Sequence, residues 1–222
     1  GEAFADGLGR GGRRRAVILA LLTRLKQICN HPAQALHQDG PLPRRSGKFD
    51  QLSTMLDQAH HTDTGVLVFT QYTAMGRLIT DHLHRHDQPA PFLHGGLSLP
   101  RRARIVEHFQ AGHGGSVLVI SLKAAGVGLT LTRATTVIHY DRWWNPAVED
   151  QASDRAHRIG QDLPVTIYTL RAAGTVEDHI AALHDHKRAL ATALGPEPTA
   201  ALTALPDEQL RHVLELDADR LL

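Results

Sequence analysis

The chain has 222 residues, 42% of them apolar, with 24 basic residues against 23 acidic ones and one cysteine. This length and composition are typical of a globular protein of one or two domains, large enough to fold without disulfide bonds or structural metals. The longest uninterrupted apolar run, Ala16 to Leu22, has seven residues. A membrane-spanning helix needs roughly 20 such residues, so none is expected.

Cysteine content and charge give further expectations about location and partners. Cys29 has no second cysteine to pair with, and the N-terminus lacks a secretory signal pattern, so the sequence predicts a cytoplasmic protein. The net charge of +1 conceals a basic region, residues 98–135, with five basic residues and one acidic residue. This region either faces phosphates or carries ordinary solvated charge, and composition alone does not choose between these interpretations.

The first part of the chain is predicted to be helical after a flexible start. Residues 1–15 are rich in glycine and arginine and are predicted to be mobile. Their glycines match G-x-G-x-x-G, but no strand precedes them, so no dinucleotide site is expected. From Arg14 to Asn30, apolar residues recur at helical spacing. A proline-rich loop over residues 31–47 separates this helix from a second one that carries Phe49 on its apolar side.

Five short apolar runs then alternate with amphipathic stretches, which is typical of a parallel sheet covered by helices on both faces. Ser98 is a candidate N-cap for one of the helices. We therefore predict leading helices and a linker over residues 16–60 and one doubly wound, mainly parallel α/β domain over residues 61–193. The predicted strands are residues 66–69, 91–93, 117–121, 136–140 and 165–170. The predicted helices are about 72–86, 99–110, 147–158 and 175–193.

Residues 194–222 are predicted to be a linker and a C-terminal helical appendage. Pro206 and Asp207 would form the first turn of a short helix, and Leu210 and Val213 would lie on its apolar side. This segment is too short to form a second core.

No nucleotide-hydrolysing motif is complete in the sequence. The phosphate-binding pattern G-x-x-x-x-G-K-[ST] is absent, and Ser46-Gly47-Lys48 lacks both the first glycine and the hydroxyl after the lysine. No acidic strand end suited to magnesium is evident either. Any phosphate chemistry is therefore expected to be completed by another domain.

Sixteen histidines raise the question of a metal site. His82 and His86 lie four residues apart on a predicted helix, but no third ligand has suitable spacing, so no metal site is predicted. A G-x-S-x-G elbow is also absent, and Cys29 adjoins an apolar helix face, which is more typical of a core residue than of a nucleophile.

The segment with the strongest chemical pattern is WWNPAVEDQASDRAHRIGQ, residues 143–161. If residues 147–158 are helical, Gln151, Arg155 and Arg158 form one polar stripe within an arc of roughly 60°. An apolar stripe adjoins it, formed by Val148, Ala152, Ala156 and Ile159.

Two interpretations of this arginine pair remain open from spacing alone. Guanidinium groups at the margin of a buried face can project into a cleft, where their planar donors suit phosphate oxygens. Alternatively, Arg155 and Arg158 pair with Glu149 or Asp154 on the helix surface.

Six motifs occur in a fixed order between about Leu21 and Leu190. They are LKQICNHP, SGKFDQL, VLVFTQYTAMGRL, FLHGGLSLPRRARIVEHFQ, VLVISLKAAGVGLTLT and VIHYDRWWNPAVEDQASDRAHRIGQ. Together they resemble the second, RecA-like lobe of the SWI/SNF family of superfamily II DNA translocases. The stretch LTALPDEQLRHVLEL resembles the bacterial branch of that family.

The resemblance implies roles at ATP for the last motif. Arg155 and Arg158 match the paired arginines of motif VI, which reach the γ-phosphate of ATP bound on the other lobe. Gln151 and Asp154 belong to the same motif and would help to order it. The resemblance implies a catalytic role for Gln151, together with the two arginines, and an ATP-binding role for Asp154.

Motif V would contribute a close backbone turn near both nucleotide and DNA. Gly126 and Gly128 match its nucleotide side and Thr130 its DNA side. These glycines could equally just permit a tight turn between strand and helix. The sequence departs from the family's usual residues at Leu97, Ala125, Thr130 and Arg133.

The resemblance also implies contacts to DNA phosphates. Lys123 matches a basic position expected at the DNA backbone. Thr70 and Gln71 match motif IV, and Gly95 and Gly96 match a loop that faces DNA. Arg102 belongs to the basic region and is expected in the same path. Solvated charge remains the alternative for Lys123.

Trp143, Trp144 and Asn145 match a segment that couples the ATP and DNA sites in the family. For the two tryptophans, packing in the core or between domains is the alternative interpretation.

The implied protein is the C-terminal lobe of an ATP-driven double-stranded DNA translocase. ATP and Mg²⁺ would be held mainly by the N-terminal ATPase lobe of the same parent protein. The isolated chain would be monomeric and would lack ATPase activity; if bacterial, the protein would associate with the nucleoid. Two alternatives remain open: an RNA helicase lobe, and a non-catalytic DNA-binding or docking module with the same fold.

Overall fold

The computed structural model describes most of the chain. The described residues are 2–60, 65–112, 117–121, 129–158, 160–190 and 208. They belong to two compact units, one formed by Gly1–Cys29 with Ala172–Leu222 and the other by Asn30–Arg171.

The helices and strands follow the predicted alternation closely. The helices are α1 Glu2–Asn30, α2 Pro32–Leu36, α3 Gly47–His60, α4 Thr73–Arg85, α5 Leu99–Gln110, α6 Pro146–Ser153 and α7 Val176–Leu190. The strands are β1 Gly65–Thr70, β2 Phe92–Leu93, β3 Val117–Ser121, β4 Ala134–His139 and β5 Thr166–Thr169.

The unit Asn30–Arg171 is built on a parallel sheet. In the described part of the chain the sheet has five strands in the order β2-β3-β1-β4-β5, and every pairing is parallel. Because parallel strands end at one edge, the residues that follow β1, β2 and β4 gather there. The predicted parallel α/β sheet with helices is confirmed.

The inner strands β1 and β3 are buried on both faces, as their uniform apolar runs predicted. The edge strand β5 is exposed along its length, so the prediction of a covered sheet is wrong for this strand. Along β1, Val66 and Val68 pack into one core cluster with Phe49 and Leu52 of α3. The alternate side chains of β1 pack into a second cluster on the other face. Successive side chains of a strand point to opposite faces, so one apolar run supplies both clusters. The members of the second cluster include Leu67, Phe69, Phe109, Ala152 and Ala156.

The largest local difference from the sequence prediction lies in residues 31–47, which were predicted to be a loop. Part of this stretch forms α2, because His31 caps it: Nδ1 of His31 accepts a hydrogen bond from the Ala33 N–H at 2.9 Å. Pro32 suits the first helical turn. His37 then ends the helix in a left-handed conformation, with φ of 52°. A histidine cap has no strong pattern in sequence, so the prolines of this stretch led to the prediction of a loop.

The ends of the chain differ in how far they test the prediction. The first helix begins at Glu2, whereas its apolar periodicity predicted a start at Arg14. Apart from Glu208, the predicted linker and C-terminal helix over residues 194–222 lie outside the described residues. Among the helices of the described part, none has the length and apolar character needed to cross a membrane.

Gly65 at the start of β1 provides a test of core packing. A Cβ atom there would lie 2.6 Å from Cζ of Phe109 and 3.3 Å from the backbone Cα of Ala134. Phe109 is completely buried and cannot move aside. We expect Gly65→Ala to lower the free energy of unfolding by about 1–3 kcal/mol, measured by urea denaturation.

The matched control is Gly47→Ala, at the first residue of α3, where an added Cβ meets nothing within 4 Å. Since alanine favours helix more than glycine does, this variant should be as stable as the original chain or slightly more stable. Equal stability of the two variants would contradict the packing argument.

Candidate nucleotide and nucleic-acid site

The predicted helix over residues 147–158 is shorter than expected. It begins one residue earlier, at Pro146, and ends at Ser153. The prediction that Gln151, Arg155 and Arg158 share one continuous helical stripe is therefore wrong. Only Gln151 lies on α6, and both arginines follow it in a turn.

Contacts with the loop before β4 redirect the chain after α6. The carbonyl oxygen of Arg155 accepts a hydrogen bond from the Leu131 N–H at 2.9 Å. The side-chain amide of Gln161 donates to the carbonyl oxygens of Thr132 at 2.7 Å and Ala134 at 2.8 Å. The Arg155 carbonyl oxygen is thus satisfied by Leu131 instead of by a further turn of α6. The last residue of the RIGQ pattern thus anchors the arginine segment.

The two arginines have different environments. Arg155 is 6% exposed, and among the described residues its Nε atom has no hydrogen-bond partner. Arg158 is exposed, and its Nη1 atom donates to Oγ1 of Thr130 at 3.3 Å. Ala152 and Ala156 are buried in the second core cluster, as the apolar stripe predicted. The turn thus carries one buried and one exposed arginine, and the exposed Arg158 contacts the predicted motif V threonine.

The other members of motif VI lie on the surface of α6. Gln151 is exposed, and Asp154 is the exposed C-terminal cap residue of the helix. Their predicted roles in ordering the motif remain predictions.

The WWN segment is attached to α6 at its beginning. Asn145 caps the helix, because its Oδ1 atom accepts a hydrogen bond from the Ala147 N–H at 3.2 Å. The backbone N–H of Trp143 donates to Oε1 of Glu149 at 2.7 Å. Trp143 packs against the second core cluster, while Trp144 is half-buried. The packing interpretation therefore holds for Trp143, and the segment is tightly linked to the helix that leads to the arginines.

Glu149 also forms an ion pair with Arg142. Its Oε1 atom lies 3.2 Å from Nε of Arg142, in an ion pair whose two side chains are nearly buried. The carboxylate of Glu149 on α6 therefore contacts two consecutive residues, the side chain of Arg142 and the backbone N–H of Trp143.

Asp141 is the centre of a buried polar network at the carboxyl ends of β1 and β4. It is 0% exposed. Its carboxylate accepts hydrogen bonds from the Thr70 hydroxyl, from the Gln71 N–H at 3.0 Å and from the side-chain amide of Asn30 at 3.3 Å. The side-chain amide of Gln71 donates to the carbonyl oxygen of Arg142 at 2.9 Å. The motif IV glutamine is thus positioned by the chain that follows β4.

Asn30 connects this network to the start of α3. Its carbonyl oxygen accepts hydrogen bonds from the Tyr140 hydroxyl at 2.7 Å and the Ser46 hydroxyl at 2.9 Å. Its Oδ1 atom lies 3.4 Å from Nζ of Lys48, which is itself buried. The lysine of the incomplete Ser46-Gly47-Lys48 pattern is therefore part of the buried network.

His139 joins β4 to the end of α6. Its Nε2 atom lies 2.8 Å from the hydroxyl oxygen of Ser153, which itself donates to the carbonyl oxygen of Glu149 at 3.1 Å. Nε2 therefore carries the proton of a neutral ring. Burial, and secondarily the charge of Arg142, lowers the pKa of His139 to about 4. The imidazole is neutral near pH 7 and acts as a fixed donor.

The predicted DNA-facing loop follows β2. Gly95 and Gly96 are exposed, and the loop closes with a hydrogen bond from the Leu97 N–H to the His94 carbonyl oxygen at 3.2 Å. Arg102 donates to the carbonyl oxygens of Leu97 at 3.0 Å and Gly95 at 2.6 Å. The sequence predicted a phosphate contact for Arg102. In the structure its side chain also stabilises this loop through the two hydrogen bonds to backbone carbonyl oxygens.

Two further arginines make the loop strongly cationic. Arg77 of α4 and Arg101 of α5 are exposed. Partial burial, followed by the charges of Arg77, Arg101 and Arg102, lowers the pKa of His94 below its usual value. The positive charges of three arginines therefore act on one imidazole beside the exposed glycines, which makes this surface suitable for phosphate groups.

Three predicted site residues, Lys123, Gly126 and Gly128, lie outside the described residues. Within the described ranges, no group of three metal-ligating side chains is present. The rings of His82 and His86 are tilted by 35° with centroids 4.1 Å apart, and Nδ1 of His86 lies 2.8 Å from the His82 carbonyl oxygen.

Sequence reasoning missed Asp141 and the clamping role of Glu149, although both occur in a quoted motif. The available signal was a carboxylate placed directly after an apolar run. It also missed Arg77, which precedes the basic region in the chain and joins it only in the folded structure.

Comparison with known proteins identifies the family. The helicase conserved C-terminal domain family matches residues 47–160. YwqA of Bacillus subtilis (strain 168), a candidate ATP-dependent helicase/translocase, is 40% identical over 211 residues, covering 94% of this chain and 23% of the relative. The chain thus spans about a quarter of that relative's length.

Two solved structures from Sulfolobus solfataricus are similar in both fold and sequence. Its SWI2/SNF2 ATPase C-terminal domain has a TM-score of 0.77 and 34% identity, covering 93% of this chain and 84% of the other. The SWI2/SNF2 ATPase core in complex with dsDNA has a TM-score of 0.78 and 36% identity, covering 93% and 43% respectively. The chain belongs to the helicase conserved C-terminal domain family, and within it to the RecA-like C-terminal lobes of the SWI2/SNF2 ATPases.

Proposed function

We propose that this chain is the second motor lobe of an ATP-dependent double-stranded DNA translocase. It contributes Arg155 and Arg158 to ATP held by a first lobe, and it grips the DNA backbone through the loop after β2 and through Gln71. The observation that carries the proposal is the buried side chain of Arg155, whose Nε atom has no acceptor among the described residues, three positions before the exposed Arg158.

The energetics of Arg155 support an anionic partner. A buried donor without an acceptor costs about 1–3 kcal/mol. An oxygen of a triphosphate presented from outside would recover that free energy and would be held by a planar, permanently charged group. Arg158, exposed and oriented by Thr130, would approach the same anion from the solvent side.

ATP and Mg²⁺ fit this lobe only in part. The two arginines suit phosphate oxygens, but the sequence has no phosphate-binding loop of the G-x-x-x-x-G-K-[ST] type. The first lobe would therefore hold both the nucleotide and the metal, and this chain alone would not hydrolyse ATP.

Double-stranded DNA is the preferred polymer for two reasons. The dsDNA complex of the Sulfolobus solfataricus SWI2/SNF2 ATPase core is a close structural relative. The cluster of Arg77, Arg101 and Arg102 beside His94 offers charge without base-specific geometry, so binding would depend on phosphates and little on sequence.

The test joins this chain to an ATP-binding first lobe of the same family and measures ATP hydrolysis with duplex DNA, with RNA and with neither. We expect stimulation by duplex DNA and no hydrolysis by the chain alone. Stimulation by RNA alone would indicate an RNA helicase lobe. Duplex binding without any hydrolysis by the joined protein would indicate a non-catalytic docking module.

Charge reversal tests the DNA surface. Arg77→Glu and Arg101→Glu should each weaken duplex binding and reduce the slope of log affinity against log salt by about 1, because each removes a phosphate contact. Fluorescence anisotropy with a duplex of random sequence, titrated at several salt concentrations, measures both quantities.

Arg85→Glu is the matched control for these variants, since Arg85 is exposed at the far end of α4, away from the carboxyl ends of the strands. It makes the same change in charge and should leave the slope nearly unchanged. Equal loss of binding in all three variants would show that only net charge matters and would remove the surface from the DNA path.

A further inference from the structure

Asp141 joins two strands through one buried carboxylate. It lies two residues beyond the end of β4 and is completely buried. Oδ2 accepts from the Thr70 hydroxyl and the Asn30 side-chain amide, and Oδ1 accepts from the Gln71 N–H. Both carboxylate oxygens are therefore used, and two of the donors belong to the end of β1 and the residue after it.

Gln71 is held in place at both its backbone and its side chain. Its backbone N–H is held by Asp141, and its side-chain amide is held by the carbonyl oxygen of Arg142 at 2.9 Å. The position of Gln71 therefore follows the position of residues 141 and 142.

The same short segment is attached to α6 by three contacts, which reach two residues of the helix. Arg142 and the Trp143 N–H both contact Oε1 of Glu149, at 3.2 and 2.7 Å. His139, at the end of β4, contacts the hydroxyl of Ser153, the last residue of α6. Residues 139–143 therefore link α6, from which the arginine segment continues, to the residue predicted to grip DNA.

From these contacts we propose that Asp141 is a positioning residue that couples the arginine segment to Gln71. The inference rests on the proposed function. When ATP contacts move the arginines and α6, the Glu149 clamp moves residues 142 and 143, and Asp141 transfers that displacement to Gln71 and the end of β1. A ligand at either end then biases the same structural element, which is the physical requirement for coupling between two sites.

Asparagine is the informative replacement at this position. It has the shape of aspartate, but one of its two terminal atoms is a donor. Hydrogen-bond donors face both carboxylate oxygens of Asp141. In Asp141→Asn the amide NH₂ group replaces one of these oxygens, so at least one donor faces another donor and loses its acceptor. Asp150→Asn is the matched control, because Asp150 is an exposed residue of α6 and the substitution makes the same change in charge.

The experiment uses the joined two-lobe protein and measures ATP hydrolysis without DNA and with saturating duplex DNA. For Asp141→Asn we expect the stimulation by DNA to fall by about tenfold or more, within the usual range of coupling between sites. The KM for ATP and the rate without DNA should stay near the original values. Asp150→Asn should keep full stimulation.

A second pair of variants separates coupling from misfolding. Thr70→Ser keeps the hydroxyl that donates to Asp141 and should keep the stimulation, whereas Thr70→Val removes the hydroxyl and should lose it. Thermal melting of each variant is measured alongside, so the Thr70 pair decides the matter if Asp141→Asn does not fold.

Three results would overturn the inference. The first is full stimulation by DNA in Asp141→Asn. The second is a loss of the same size in the DNA-free and DNA-stimulated rates of that variant, because such a loss would indicate a merely structural role. The third is equal stimulation in the two Thr70 variants. If the unsubstituted joined protein shows no stimulation by DNA, the proposed function itself fails, and that result is distinguishable from the other three.

Discussion

Replacing Arg155 or Arg158 with alanine should reduce DNA-stimulated ATP hydrolysis of the joined two-lobe protein by about 10³–10⁵-fold, or roughly 4–7 kcal/mol of barrier. The reason is that each guanidinium would stabilise charge on the transferring phosphoryl group. The effect should appear in kcat, measured at saturating ATP and DNA, while duplex binding in the absence of nucleotide stays unchanged.

The different environments of the two arginines sharpen this prediction. Arg155 is buried, so Arg155→Lys should also lose most activity, because a lysine keeps the charge but not the planar donor group. Arg158 is exposed and donates a hydrogen bond to Thr130, so Thr130→Val should cause a smaller loss than Arg158→Ala.

Arg85→Ala is the control, because it removes an exposed arginine at the far end of α4. Its hydrolysis rate should match that of the unsubstituted protein. Unchanged turnover in both Arg155→Ala and Arg158→Ala would refute the assignment of these residues to the triphosphate.

The second large effect is a loss of stability in acid, caused by His139. Burial lowers the pKa of this histidine to about 4, from a usual value of 6.5. Between these pH values the unfolded chain binds a proton that the folded chain does not, so stability rises with pH in this window. The contribution of His139 is fully present above pH 6.5 and is lost progressively down to pH 4, by about 3 kcal/mol.

Urea denaturation of the chain at several pH values between 4 and 7 measures this effect. Three other histidines add to the slope in the same direction, since burial also lowers the pKa values of His31, His82 and His94. The specific test is therefore His139→Gln, whose free energy of unfolding should depend less on pH in this window. His84→Gln, at an exposed position of α4, is the control for the substitution itself. An equal pH dependence for His139→Gln and the original chain would contradict the assignment.

Much of the fold was predictable because its signals are local. The apolar runs at residues 66–69 and 117–121 predicted fully buried strands, and their parallel pairing is confirmed. Such runs report burial on both faces, which only a covered sheet provides. The long motifs also allowed the lobe to be recognised, and the match over residues 47–160 confirms it.

The end of α6 could not be predicted in the same way. Helical periodicity continued through Arg158, but the chain turns after Ser153 because Leu131 and the loop before β4 hold it there. Local propensity was overridden by hydrogen bonds from residues that are distant in sequence. As a result, Arg155 became buried and Arg158 stayed exposed, although the pattern treated them alike.

The amino-acid sequence by itself determined the main alternation of helices and strands, the buried inner strands of the parallel sheet and the family of the lobe, since each depends on neighbouring residues. The tertiary structure alone decided which polar groups meet. Asn30 and Asp141 are 111 residues apart in the chain, and Thr70 and Asp141 are 71 apart. No periodicity can encode such pairs. They exist because parallel strands end at one edge, where backbone and side-chain polar groups buried together must satisfy one another.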